Sequence, residues 1–215
     1  MRADLHTHSI LSDGSMIPAE LVRRAYITGH SVIAITDHVD SVNVEFVVSN
    51  LVKVADLCNE DIKVIPGVEI THVAPSKIAD VAKEARSLGA EWIVVHGETI
   101  AEPVAEGTNL AAANNPDIDL LAHPGFLTEE AAQAAVDNDV LIEITGRMYH
   151  NATNGYVASV ARRIGAKMVV NSDTHSPNDL LTEQDAINVA LGAGLTLEES
   201  RKAVNKTPFD AVKHL

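Results

Sequence analysis

Seven short apolar segments recur along this chain, and stretches with helical character lie between them. The strand-like segments are residues 3–6, 32–36, 63–70, 92–96, 119–123, 140–145 and 168–171. Helical signals cover 18–28, 44–58, 75–87, 129–138 and 156–164 between them. After the last strand come 181–191, 197–204 and a tail helix near 208–213. Pro18 opening a helix and Gly29 closing it follow the usual asymmetry of helix ends, and Gly89 and Gly165 close theirs in the same way. Strict alternation of strand and helix predicts an α/β fold on a parallel sheet. An open sheet and a closed barrel both satisfy the pattern, and the polar residues choose between them. Six of the seven strands carry a histidine, aspartate or glutamate at or just past the C-terminal end. A barrel gathers such ends around one mouth, where (β/α) barrels place their chemistry. The expectation is a barrel of seven parallel strands, forming a single domain over residues 1–215.

Composition sets the boundaries. The 215 residues are 46% hydrophobic but only 3% aromatic, so the core must be aliphatic, which suits buried parallel strands. A formal charge of −14 argues against broad adhesion to nucleic acid or anionic membrane, though a local basic pocket remains compatible with it. One cysteine, Cys58, rules out an internal disulfide framework and fits a reducing compartment. The N-terminus has no apolar signal core, and no apolar run reaches the roughly 18 residues that would cross a bilayer. These features predict a cytoplasmic protein without membrane contact; its oligomeric state is left open.

The first strand ends Asp4-Leu5-His6-Thr7-His8. Residues two apart on an extended chain point to one side, so His6 and His8 can grip a single ion with Asp4 behind them. Later strands end in Thr36-Asp37-His38, Gly67-Val68-Glu69, His96-Gly97 and Ala122-His123-Pro124, and the last runs Ser172-Asp173-Thr174-His175. A lone histidine after a strand, such as His96 or His123, is more often structural. Six of the ten histidines, with Glu69 and Asp173, fall at equivalent topological positions, and independent accidents would not converge in that way.

In order and spacing these motifs resemble the PHP (polymerase and histidinol phosphatase) superfamily of metal-dependent phosphoesterases. The resemblance spans essentially the whole chain and implies a distorted TIM-like (β/α)7 barrel with two or three divalent ions (zinc, manganese or iron) at its mouth. It implies that His6, His8, Glu69 and Asp173 hold one ion, and that Glu69 bridges to a second held by His96 and His123. It implies a third held by His38, His175 and a residue from the loop after His8. Some relatives place histidine in that loop; here it reads Ser9-Ile10-Leu11-Ser12-Asp13-Gly14, so Asp13 becomes the candidate ligand, with a turn before Gly14 as its structural alternative. Oxygen donation there favours manganese or iron over zinc.

Two ions sharing a carboxylate suit phosphate-ester hydrolysis by attack of a bridging hydroxide. His38 and His175 are candidates to protonate the leaving oxygen if the third ion is absent, with Asp173 beside them. Arg147, after the sixth strand, is the candidate phosphate clamp. His72, Glu98, Thr99 and His150 also follow strands and are candidates to line the pocket. The expected substrate is a small phosphate monoester, histidinol phosphate first, with nucleic acid not expected as a partner. One alternative is a nuclease or nucleotide phosphoesterase acting on DNA or RNA ends, which requires a basic groove with stacking aromatics beside the mouth. The other is a non-catalytic scaffold stabilised by metal.

Overall fold

The computed structural model describes residues 1–58 and 61–215. In chain order its elements are β1 (Arg2–Asp4), α1 (Pro18–Thr28), β2 (His30–Ile35), β3 (His38–Val39), α2 (Val44–Leu57), β4 (Lys63–Ile70), α3 (Ile78–Leu88), β5 (Trp92–His96), α4 (Thr108–Ala113), β6 (Leu120–Ala122), α5 (Glu129–Asp137), β7 (Leu141–Thr145), α6 (Asn154–Ile164), β8 (Met168–Asn171), α7 (Glu183–Gly192), α8 (Leu197–Asn205) and α9 (Thr207–Ala211). The sheet order is β1-β2-β4-β5-β6-β7-β8, with every pairing parallel. The extra strand β3 pairs with Glu69 and Ile70 of β4, beyond the stretch of β4 that pairs with β2. It therefore prolongs the stave of β2, and the expected barrel of seven staves holds. Helix α4, only six residues long, was not anticipated.

Alternation of side chains explains both the core and the placement of the polar residues. One face of the strands, including Ile33, Ile35, Val68, Ile93, Val95 and Ile142, packs outward against the helices. The partly buried Cys58 joins that layer, as expected. The other face fills the barrel interior with Ala3, Leu5, Val32, Ala34, Ile65, Trp92, Val94, Leu120, Leu141 and Val169, and Val212 plugs the lower end. Each fully buried Leu, Ile or Val contributes about 1.5–3 kcal/mol. Steps of two residues along the same inward face lead from Ile65 to Gly67 and Glu69, from Trp92 to Val94 and His96, and from Leu141 to Glu143. The periodicity that builds the dry lower core thus delivers a polar upper layer.

The barrel closes between β8 and β1 chiefly by other means than a regular ladder. Thr7 and Thr174 form one isolated parallel bridge, and the His8 N–H donates to the Thr174 carbonyl at 2.8 Å. Asp173 N–H also donates to the His6 carbonyl at 3.1 Å, and side chains supply much of the remainder. Leu5 N–H donates to Asn171 Oδ1 at 3.0 Å, and Ser172 N–H donates to Asp4 Oδ1 at 3.1 Å. Asp4 is fully buried and pairs with the buried Arg2 at 2.9 Å. Burial alone would raise its carboxyl, but Arg2 and His30 hold it well below the usual range. Among the described residues no helix is long and apolar enough to cross a membrane.

Removing one member of a buried ion pair strands the other charge. Arg2→Met is expected to cost about 3–5 kcal/mol in urea unfolding of the metal-free protein. A midpoint unchanged from the parent would show that the Arg2–Asp4 pair does not hold the seam.

Candidate metal centre

All of the predicted ligands arrive at one end of the barrel. Glu69 is fully buried at the centre, with imidazole nitrogens on several sides. His6 Nε2 and His8 Nε2 lie 3.3 and 3.4 Å from its Oε2, and His123 Nε2 lies 3.4 Å from its Oε1. His38 Nδ1 approaches Oε2 at 2.9 Å. Asp173, also buried, places Oδ1 3.2 Å from His8 Nε2 and Oδ2 3.6 Å from His123 Nε2. At the outer edge, Asp13 Oδ1 sits 3.2 Å from His175 Nε2 and 3.5 Å from His38 Nε2. Donor atoms lie within 4.8 Å of one another in four overlapping sets: His6, His8 and Glu69; His6, His123 and Asp173; His8, Asp13, His38 and His175; and His96, His123 and His150.

Several of these donors lack regular hydrogen bonds. His6 Nε2, both ring nitrogens of His8, both Glu69 oxygens and Asp173 Oδ1 are buried and make no hydrogen bond of regular geometry among the described residues, although imidazole–carboxylate ion-pair contacts surround them. Such groups cost about 1–3 kcal/mol each when buried unpaired, and more when charged. A divalent cation satisfies lone pairs of both imidazole and carboxylate, so the donor set fits such an ion.

The support behind the donors is well built. Glu143 Oε1 stands 2.8 Å from His6 Nδ1 and accepts from Asn171 Nδ2 at 2.9 Å. That contact fixes the His6 ring so that Nε2 faces inward. Asp37 receives the N–H and hydroxyl groups of both Ser9 and Ser12, folding the loop that carries Asp13. A Cβ at Gly14 would stand 2.5 Å from the His8 carbonyl oxygen, so glycine lets this loop return across its own strand. The sequence offers Asp13-Gly14 as ligand or turn, and the geometry makes the turn the means of presenting Asp13. His123 and Asp173 both adopt positive φ, 26° and 53°. Non-glycine residues hold such angles only where the surroundings over-determine them, commonly at functional sites.

Some parts were not foreseen. Glu102, on the loop after β5, places its carboxylate 3.3 Å from both His96 Nε2 and His72 Nε2 and 3.6 Å from His150 Nε2. No motif marks it, because nothing local distinguishes it from a solvated loop glutamate. Glu143 lies inside an apolar strand, and that interruption was the available signal. Among the pocket candidates, His150 joins His96 and His123, whereas Glu98 Oε1 accepts from the Asn109 N–H in the first turn of α4. Arg147 lines a cleft of about 810 Å3 that also includes Glu102 and His150, with Nη1 3.6 Å from Asp179.

Charge within the cluster is strongly interdependent. Burial would lower His6, yet the carboxylates of Glu143, Glu69 and Asp173 raise it well above the usual imidazole range. His38 is raised to about 9 against its burial, chiefly by Glu69, and His96 and His175 are raised also. Burial and the neighbouring His38 push His8 down to about 3, and burial with His123 lowers His150 to about 4. Glu69 and Asp173 resist burial through the surrounding imidazoles and stay well below the carboxylate range.

Two expected outcomes follow from these contacts. Replacing Glu143 with Gln should weaken metal binding about 10- to 100-fold by titration calorimetry, through loss of His6 orientation. In metal-free protein, the raised histidines stabilise the fold fully below about pH 6.5 and lose that contribution as pH rises through their folded values. The lowered His8 and His150 act in the opposite sense, losing theirs as pH falls below about 6.5. Calorimetric Tm in EDTA should therefore decline from about pH 6.5 to 9, and metal should flatten that decline because it takes the imidazoles neutral. A metal-free Tm that climbs over this interval would contradict the assignment.

Comparison with known proteins places this geometry. The family model for RNase P subunit p30 matches residues 1–215. An uncharacterised protein of Methanocaldococcus jannaschii is 49% identical over 222 residues, covering 100% of both chains. Ribonuclease P protein component 3 of Methanosarcina mazei is 28% identical over 225 residues, covering 98% of this chain and 88% of that protein. In fold, the chain resembles histidinol phosphate phosphatase from Lactococcus lactis, with a TM-score of 0.67 at 17% identity over 91% of this chain and 94% of that one. It also resembles a chain of an archaeal ribonuclease P determined with mature tRNA, with a TM-score of 0.65 at 16% identity over 97% and 93%. The barrel is thus PHP-like. The family match overturns two expectations: a small phosphate monoester such as histidinol phosphate as substrate, and nucleic acid as an unlikely partner. Net charge misled because it sums the whole surface, whereas a strand of RNA meets only one face of it. The chain belongs to the RNase P subunit p30 family.

Proposed function

We propose that this protein is an RNA-processing phosphoesterase that hydrolyses RNA phosphodiesters at its own metal centre. The observation that carries the reading is the set of buried donors on His6, His8, Glu69 and Asp173 that lack regular hydrogen bonds, in a chain of an RNA-processing family. A purely structural subunit would gain nothing from keeping them, since each unpaired buried group destabilises the fold.

His6, His8, Glu69 and Asp173 would hold one ion; Glu69, His96 and His123, with His150 beside them, a second; and His38, His175 and Asp13 a third. Bound divalent ions would supply a water-derived nucleophile at neutral pH and offset the charge of the phosphoryl oxygens. The protein's own groups do the remainder. Glu143 and Asp37 orient the ligands from behind. Arg147 would receive a non-bridging phosphate oxygen with its planar fork. With the third site empty, His38 and His175, both raised, would hold a proton where the leaving oxygen departs.

A second reading is favoured by the whole-chain family match: a protein subunit that acts only within a ribonucleoprotein. The purified chain separates the two when given short oligoribonucleotides and manganese. Cleavage by the chain alone, abolished by EDTA, is expected. RNA binding without cleavage at full metal occupancy would transfer the assignment to the subunit reading. His123→Ala should retain about one ion fewer by elemental analysis and cleave about a hundredfold or more slowly. Near-parental cleavage by that variant would sink the shared-carboxylate assignment.

A further inference from the structure

Beside the metal centre, the cleft of about 810 Å3 has an unusual rim. Its walls toward the centre are Glu102, Arg147 and His150, while Tyr149, Met148 and Ile100 stand at its edge with 73%, 69% and 53% of their surface exposed. The chain has only seven aromatic side chains, and Tyr149 is the most exposed of them. It is also held there at a conformational cost. Its backbone lies at φ 71° and ψ −42°, a region that non-glycine residues rarely occupy.

The turn around it is firmly anchored. Arg147 N–H donates to Thr145 Oγ1 at 3.1 Å, and Asn154 clamps the backbone of Thr145 from both sides, at 3.2 and 2.8 Å. The Arg147 carbonyl accepts from Asn151 N–H and the Tyr149 carbonyl from Ala152 N–H. No hydrogen bond to the Tyr149 hydroxyl occurs among the described residues, so packing or bonding of the ring within the protein does not explain the strain. An exposed ring on a strained, anchored turn beside a reaction centre is the arrangement from which a binding role is inferred.

We propose that this cleft receives one end of a single RNA strand, with an unpaired nucleobase stacked on Tyr149 and the adjoining phosphate directed past Arg147 to the metal centre. This rests on the reading of the protein as an RNA phosphoesterase and adds the form of the substrate. A duplex hides its base faces and is held by rows of cations along the backbone. Here the cation lining the cleft is Arg147, and it already faces Asp179 at 3.6 Å. In a chain of net charge −14, affinity for RNA must come largely from metal and from stacking, which needs no positive surface and tolerates every base. The alternative anticipated from sequence required a basic groove with stacking aromatics beside the mouth; Tyr149 supplies an exposed ring there, while Arg147 is the cleft's one Lys or Arg among the described residues.

The test uses a cleavage-resistant, phosphorothioate-linked hexaribonucleotide with 2-aminopurine at one terminus or the other, and manganese-loaded protein. The parent and Tyr149→Phe should quench the terminal fluorophore equally and bind with the same Kd. Tyr149→Gly suits the backbone angles, so it should melt no lower than the parent and keep its metal content. It should nevertheless bind about tenfold or more weakly and lose the quench. A blunt duplex of the same sequence should bind more weakly than the single strand. Unchanged affinity and quench in Tyr149→Gly, or equal binding of duplex and single strand, would overturn the stacking site while leaving RNA hydrolysis standing. Absence of RNA binding by the parent protein would overturn both.

Discussion

Two fully buried carboxylates, Glu69 and Asp173, stand within 3.2–3.8 Å of the imidazole nitrogens around them, and much of the upper barrel follows from keeping them charged. Isolated carboxylates in so dry a site would take up protons. The histidines prevent that in the metal-free state by becoming cationic themselves, which is why His6 and His38 rise while His8, between them, is driven the other way. Divalent ions offer the same compensation with fewer protons and more complete use of the lone pairs. The proposed catalytic centre and the stability of the mouth are in this sense one problem in electrostatics.

The frame that holds these groups is correspondingly polar where the chemistry sits. Along most of the barrel, backbone ladders join neighbouring staves. At the β8–β1 seam the ladder shrinks to one bridge, and Asp4, Asn171 and the Arg2–Asp4 pair take over. The two strands meeting there carry His6, His8, Asp173 and His175. Asp173 adopts positive φ at this seam while its N–H donates to the His6 carbonyl at 3.1 Å. The irregular seam and the convergence of the candidate ligands thus lie in the same part of the chain.

The acidic surface and the family's association with RNA are compatible once attraction is treated locally. Metal held at the mouth would supply positive charge where a phosphate arrives, and Arg147 sits in the adjoining cleft. Stacking on an exposed ring contributes without any charge. Such a protein would discriminate against long duplexes by its overall repulsion and accept a strand end at one point.

Much of this was legible in the residues. Period-two alternation set the inner and outer faces of the strands, glycines after α1, α3 and α6 marked helix ends, and the recurrence of His, Asp and Glu at strand ends marked the mouth. Those signals are local, and local rules suffice to read them. Residues at equivalent strand ends, with Asp13 beside its glycine turn, named the candidate metal ligands, which the structure gathers at one mouth. What the sequence could not convey were partners that depend on distance in space: Glu102 reaching three histidines from a loop, Glu143 bracing His6 across the barrel, Tyr149 held outward on a strained turn. Substrate class escaped for the same reason, because net charge is a sum that discards position. The order and chemistry of the candidate ligands were written in the chain, while their second partners and the cleft beside them arose only when folding brought separate loops and strands together, as with His6 and Glu143, 137 positions apart.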